Sequence, residues 1–130
     1  MTTPTNEAAN RDEMVPATLT LHVKVEELAD WLDSAPLHHV AERIEIKSAD
    51  ENLTIFDVPL KGGSVVFHLD GAFENRKVTL TKTKMLRGLK AMAADDPELT
   101  HTFITNAGEC DGYDSLTFLQ YCLFGEVVVG

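Results

Sequence analysis

Near its C-terminus the chain carries a helix that cannot lie on a surface. Asp114 or Ser115 is placed to cap a segment running to about Phe124. Within it Leu116, Phe118, Leu119, Tyr121, Cys122, Leu123 and Phe124 leave almost no polar side. A helix that is apolar all round must be buried against more than one neighbour. Either the rest of the domain wraps it or a second subunit does. Gly125 suits the left-handed residue that ends a helix. Val127-Val128-Val129 then reads as a short strand or a docked tail.

The remaining sequence must supply that cover. The chain's 130 residues give room for one domain, which at this size buries enough surface for an independent core. Residues 1–16 are rich in Thr, Asn, Pro and charge and read as a flexible tail, with a single domain over 17–130. Leu19, Leu21, Val23 and Val25 alternate with Thr20, His22 and Lys24, the period of a half-buried strand. Glu26 to Asp33 predicts a short helix with Leu28, Trp31 and Leu32 on one face, closed by Pro36. Leu37 to Arg43 is ambiguous and includes a further helical turn as one option.

Short strands are expected at Ile44–Ile46, Leu53–Ile55, Val65–Leu69 and Val78–Leu80. Val58-Pro59-Leu60 implies an edge or a bend, because proline donates no ladder hydrogen bond. Gly62-Gly63 signals a turn, and Gly71–Asn75 a loop. Thr81 is placed to cap a helix from Lys82 to about Ala94 whose apolar face is Met85, Leu86, Leu89, Met92 and Ala93. Asp95-Asp96-Pro97 ends it. Leu99–Ile104 is a short helix or an extended segment, and Thr105–Asp114 a polar loop. The fold class is α+β: a small, mostly antiparallel sheet against two or three helices.

Charge is unevenly placed. The net charge is −10, a field that repels nucleic acid and anionic membranes and favours encounter with basic protein surfaces. Yet Arg76, Lys77, Lys82, Lys84, Arg87 and Lys90 fall in a stretch with no Asp or Glu, and residues 91–130 contain no Lys or Arg. Lys82 and Lys84 also sit in the first turn of their helix, where cations oppose the helix dipole. A basic stripe so placed is either a solvated face with local ion pairs or a contact surface for anionic groups. The candidate partner-binding residues are Lys82, Lys84, Arg87, Lys90, Asp95, Asp96, Glu109 and Asp111.

No catalytic or metal motif emerges. Aligning Gly112 with the invariant glycine of a calcium loop puts Ala107 and Phe118 at the two essential ends. Turn formation and helix capping explain the same loop. Cys110 and Cys122 are spaced for neither a zinc site nor a redox pair, and acidic neighbours make Cys110 a poor nucleophile. His38 and His39 are adjacent and point apart. No cofactor, metal or catalytic residue is assigned. With no apolar run of bilayer length and no signal-peptide core, the expected location is the cytoplasm.

The stretch VTLTKTKMLRGLKAMA at 78–93, followed by DSLTFLQYCLFGEVVVG at 114–130, resembles small uncharacterised phage and prophage proteins. These share a strand-to-helix TLTK…GL..MA segment and a D…T.FLQ..LFGE.VYG ending, from which Val129 departs where a Tyr is expected. The likeness covers roughly the last fifty residues. It implies a viral or mobile-element origin, hence a host cytoplasm, and brings no activity. The expected function is a non-enzymatic accessory protein that binds a protein partner, with an acidic inhibitor of host nucleic-acid-handling machinery as its sharpest form. The alternative is a phage structural or assembly protein, a homo-oligomer through the C-terminal helix.

Overall fold

The computed structural model describes residues 12–128. The part of the expected tail over residues 1–11 lies outside the described residues. In chain order the elements are α1 (Glu27–Leu32), β1 (Ala41–Lys47), α2 (Asp57–Leu60), β2 (Ser64–Leu69), β3 (Lys77–Leu80), α3 (Lys82–Asp95), α4 (Pro97–Asn106) and α5 (Gly112–Phe124). Single 3-10 turns lie at Leu37–His39, Gly71–Phe73 and Ala107–Glu109. The three strands form an antiparallel meander in the order β1-β2-β3. The fold is α+β.

The sheet has a dry side and a wet side. Val65, Phe67 and Leu69 of β2 are buried, and Phe67 pairs with Ile44 of β1 and Val78 of β3. The opposite face carries Arg43, Glu45, His68, Lys77 and Thr79 around a buried Val66. There Glu45 accepts from His68 Nε2 and pairs with Arg43 Nη1 at 2.9 Å, and Arg43 Nη2 lies 3.4 Å from His68 Nδ1. The His68 hydrogen bond, with Arg43 beside it, holds the Glu45 carboxyl below its ordinary range.

The C-terminal helix is the centre of the core. Phe118, Leu119, Tyr121, Cys122 and Leu123 are buried, and α5 packs on α3, α1 and β3. The chain itself therefore supplies the cover that an all-round apolar helix requires. Trp31 of α1 stacks on Phe103 of α4 with centroids 5.0 Å apart and meets Phe118 of α5 edge-on at 5.7 Å. These three rings tie the small helix α1 to the larger ones. Gln120, buried among apolar neighbours, accepts from the Val128 N–H at 2.8 Å and anchors the tail after α5. The docked tail, rather than a strand, is what forms there among the described residues.

Several boundaries differ from expectation, each for a physical reason. Residues 13–24 form no helix or strand, so the alternating segment at Leu19–Val25 stays unpaired; a strand pattern needs a neighbouring edge as well as its own period. Leu53–Ile55 is turn rather than strand, because Thr54 starts a helical turn whose hydroxyl donates to Asp57 Oδ2 at 2.7 Å. Pro59 then sits in the first turn of α2, where its missing N–H costs nothing. The ambiguous Leu37–Arg43 splits into a 3-10 turn and the start of β1. Leu99–Ile104 is helical, and most of the expected polar loop after it is helix end and 3-10 turn. The cap of α5 is Asp111, not Asp114 or Ser115: Asp111 accepts from the Asp114 N–H at 2.9 Å while Asp114 accepts from the Asp111 N–H at 3.0 Å.

Candidate functional site

The basic residues converge where β3, the start of α3 and the end of α5 meet. The connection from β2 to β3 is a tight turn in which Glu74 and Asn75 both take positive φ, 65° and 54°. Such backbone is uncommon outside glycine and persists when neighbours hold it. Here the Asn75 N–H donates to Asp70 O at 3.2 Å and the Leu69 N–H to Arg76 O at 2.8 Å. Phe73, buried, stacks on Phe124 with centroids 5.3 Å apart. Arg76 is fixed by that arrangement: its Nε donates to Phe73 O at 3.3 Å and its guanidinium lies 5.8 Å from the Phe124 centroid.

Arg76, Lys77 and Lys84 line a cleft of about 510 Å³ with Val78, Thr79, Leu123, Phe124, Glu126 and Val128. A smaller hollow of about 190 Å³ adjoins it, sharing Lys84, Leu123 and Phe124 and adding Arg87. Among the described residues the only ion pairs are those of Glu45 with Arg43 and His68, so no carboxylate lies within pairing distance of these four cations. Partial burial and the Arg87 charge push the Lys84 amine below its ordinary range. One compensation is built in. α5 has no basic residue in its last turn, and Lys84 and Arg87 stand at that C-terminal end, where the helix dipole is negative. Lys84, which opposes the dipole of its own helix, thus complements that of its neighbour, with Arg87 beside it.

The other candidate residues do not join this cleft. Lys82 lines a separate hollow of about 430 Å³ with Lys47, Gly62, Gly63, Ser64 and Thr81. Lys90 is exposed on α3. Asp96 accepts from the Leu99 N–H at 3.1 Å and caps α4, and Asp111 caps α5, so both acids have local structural work. Asp95 and Asp96 raise the Tyr121 hydroxyl above its ordinary range, after burial as the larger cause.

Carboxylates gather elsewhere. Burial together with Asp30 and Asp57 pushes Asp33 up, and burial with Asp114, Asp111 and Glu109 pushes the Cys110 thiol up. The two groups meet through the contact of Gly112 with Ser34, where a Cβ on the glycine would fall 3.0 Å from Ser34 O. The carboxylates of Asp30, Asp33 and Asp57 are not legible as a group in the sequence, because Asp57 lies 24 residues beyond Asp33 and reaches it only through the fold. Arg76 and Lys77 were visible as cations, but nothing local ties them to Phe124.

Neither cysteine is set up as a nucleophile: burial drives the Cys122 thiol strongly upward, and Cys110 is raised as described. Among the described residues no group of three or more His, Cys, Asp or Glu is placed to hold a metal ion. Nor, among the described residues, is any helix long and apolar enough to cross a membrane. No family model, curated protein or solved structure matches this chain.

Proposed function

We propose that the chain is a non-enzymatic binding domain, an accessory protein of a phage or prophage acting in the host cytoplasm, that takes an acidic segment of a protein partner into the cleft of Arg76, Lys77, Lys84 and Arg87. The observation that carries this is a cleft lined by Arg76, Lys77 and Lys84 and an adjoining hollow lined by Lys84 and Arg87. Glu126 is the one lining carboxylate and, among the described residues, no carboxylate lies within pairing distance of the four cations. Leu123 and Phe124 add an apolar wall, which suits a peptide mixing acidic and apolar side chains. The phage origin rests on the resemblance of the last fifty residues.

The test is a titration with a synthetic peptide alternating Glu and Leu, followed by amide chemical shifts. Shifts confined to residues 76–79, 84–87 and 123–126, weakening with salt, are the expected result. Shifts scattered over the surface, or none, count against the cleft.

A second reading is favoured by the two carboxylate groups around Asp33 and Cys110. In it the acidic side occupies the nucleic-acid-binding surface of a basic host protein, carboxylates standing where phosphates would lie. The assembly-protein alternative loses its original motive, since α5 is covered within the chain.

A further inference from the structure

The segment before α1 is where sequence pattern and fold disagree most. Leu19, Leu21, Val23 and Val25 alternate with Thr18, Thr20, His22 and Lys24, which is a strand with one apolar face. Yet residues 13–24 belong to no helix or strand, and Leu19 and Leu21 are 76% and 45% exposed. Met14 and Val15, just upstream, are exposed further still. Single apolar residues on a surface need no explanation, but a run of them does.

The sheet carries the complementary defect. β1 is an edge strand, hydrogen-bonded to β2 alone among the described residues. One row across its core face runs Ile46, Val65, Leu80. Val65 and Leu80 are fully buried, while Ile46 at the edge is 50% exposed. The dry side of the sheet is thus covered at Ala41 and partly at Ile44 but left open at the Ile46 end of β1. An edge of this kind is a template for a further strand. At about 3.3 Å per residue, the five residues 18–22 are long enough to pair along most of the seven-residue β1.

We propose that residues 18–22 add as a β-strand to the β1 edge of a second copy of this chain, forming a two-fold dimer with reciprocally exchanged strands. Donor and acceptor lie on the same chain, so one contact generates its symmetric twin and the assembly closes at two. Leu19 and Leu21 cover Ile46 of the partner copy, and Thr18, Thr20 and His22 stay on the wet face. The end of the segment is pinned in its own chain: Val23 packs on the core, and the Lys24 and Val25 carbonyls accept from the Glu27 and Leu28 N–H groups at 3.0 and 3.1 Å. The residues upstream of that anchor are left to reach outward. The surface is separate from the basic cleft and does not depend on it.

The experiment is light scattering of the full chain from low micromolar to millimolar concentration, paired with hydrogen exchange. The expected result is a dimer that forms with concentration, with amide protection rising together in 18–22 and 41–47. Leu21→Pro, which removes an N–H and blocks ladder pairing, returns the chain to monomer. Because residue 21 lies outside the core, its circular dichroism stays that of the unaltered fold. A monomer throughout overturns the proposal. So does protection of both segments at every concentration, which would mean pairing within one chain, and so does a dimer indifferent to Leu21→Pro.

Discussion

Gly88 of α3 lies directly against the backbone of Cys122 in α5: a Cβ built on the glycine would fall 2.7 Å from the Cys122 Cα and N and 2.8 Å from its Sγ. Two helices can approach this closely only where one side chain is absent. The same approach seals the Cys122 thiol and sets Lys84 and Arg87, on either side of Gly88, at the end of α5. The helix pair that builds the core therefore also positions the basic cleft.

Gly88→Ala tests that contact. The obstructing atoms are backbone and cannot rotate away, so the helices must separate. Overpacking of this kind costs about 1–3 kcal/mol, more than the roughly 1 kcal/mol that alanine gains as a helix former. The urea midpoint is expected to fall. An unchanged or raised midpoint would mean that the pair is looser than described.

Trp31→Ala removes the ring that joins α1 to Phe103 and Phe118. α1 is six residues long and has no side-chain cap, so it has little stability of its own. The expected loss is about 3–5 kcal/mol, the usual range for truncating a buried aromatic. Denaturation followed by far-ultraviolet circular dichroism measures it. A loss below about 1 kcal/mol would show that the ring cluster does not hold α1.

Asp33 provides a pH test. Its folded-state carboxyl is raised by burial and by Asp30 and Asp57, so its ionisation opposes folding. A raised pKa contributes stability that is present below the unfolded value and lost as pH rises through the folded one. Asp33→Asn keeps the neutral form at every pH. It is expected to raise Tm modestly at pH 7, with the gain vanishing as pH falls below the ordinary carboxylate range. A gain that persists in acid would place its origin outside these charges.

The parts legible in the sequence were those set by local period and local capping. Met85 and Met92 at helical spacing, Thr81 before them and Gly125 at φ 77° gave both major helices to within a few residues. Val65 to Leu69 announced the central strand in the same way. What stayed hidden depended on distant partners. Leu19–Val25 has the pattern of a strand but no edge beside it, and Leu53–Ile55 lost to a turn closed by Thr54 and Asp57. The cations were visible along residues 76–90. That Lys84 and Arg87 stand at the end of α5, with Arg76 held over Phe124, is a product of packing across the fold.

Partner capture by charge-reversed variants tests the central claim most directly. Tagged wild-type protein, Lys84→Glu/Arg87→Glu and Asp33→Lys/Glu109→Lys would each be incubated with bacterial host lysate at low salt, with parallel samples at high salt. Asp33, Arg87 and Glu109 are exposed and Lys84 is half-buried, so the variants should retain the wild-type circular dichroism. The account predicts a specific protein retained by wild type and by the Asp33/Glu109 variant, released at high salt, and lost from the Lys84/Arg87 variant. Retention by the Lys84/Arg87 variant with loss from the Asp33/Glu109 variant would contradict it and move the contact to the carboxylates.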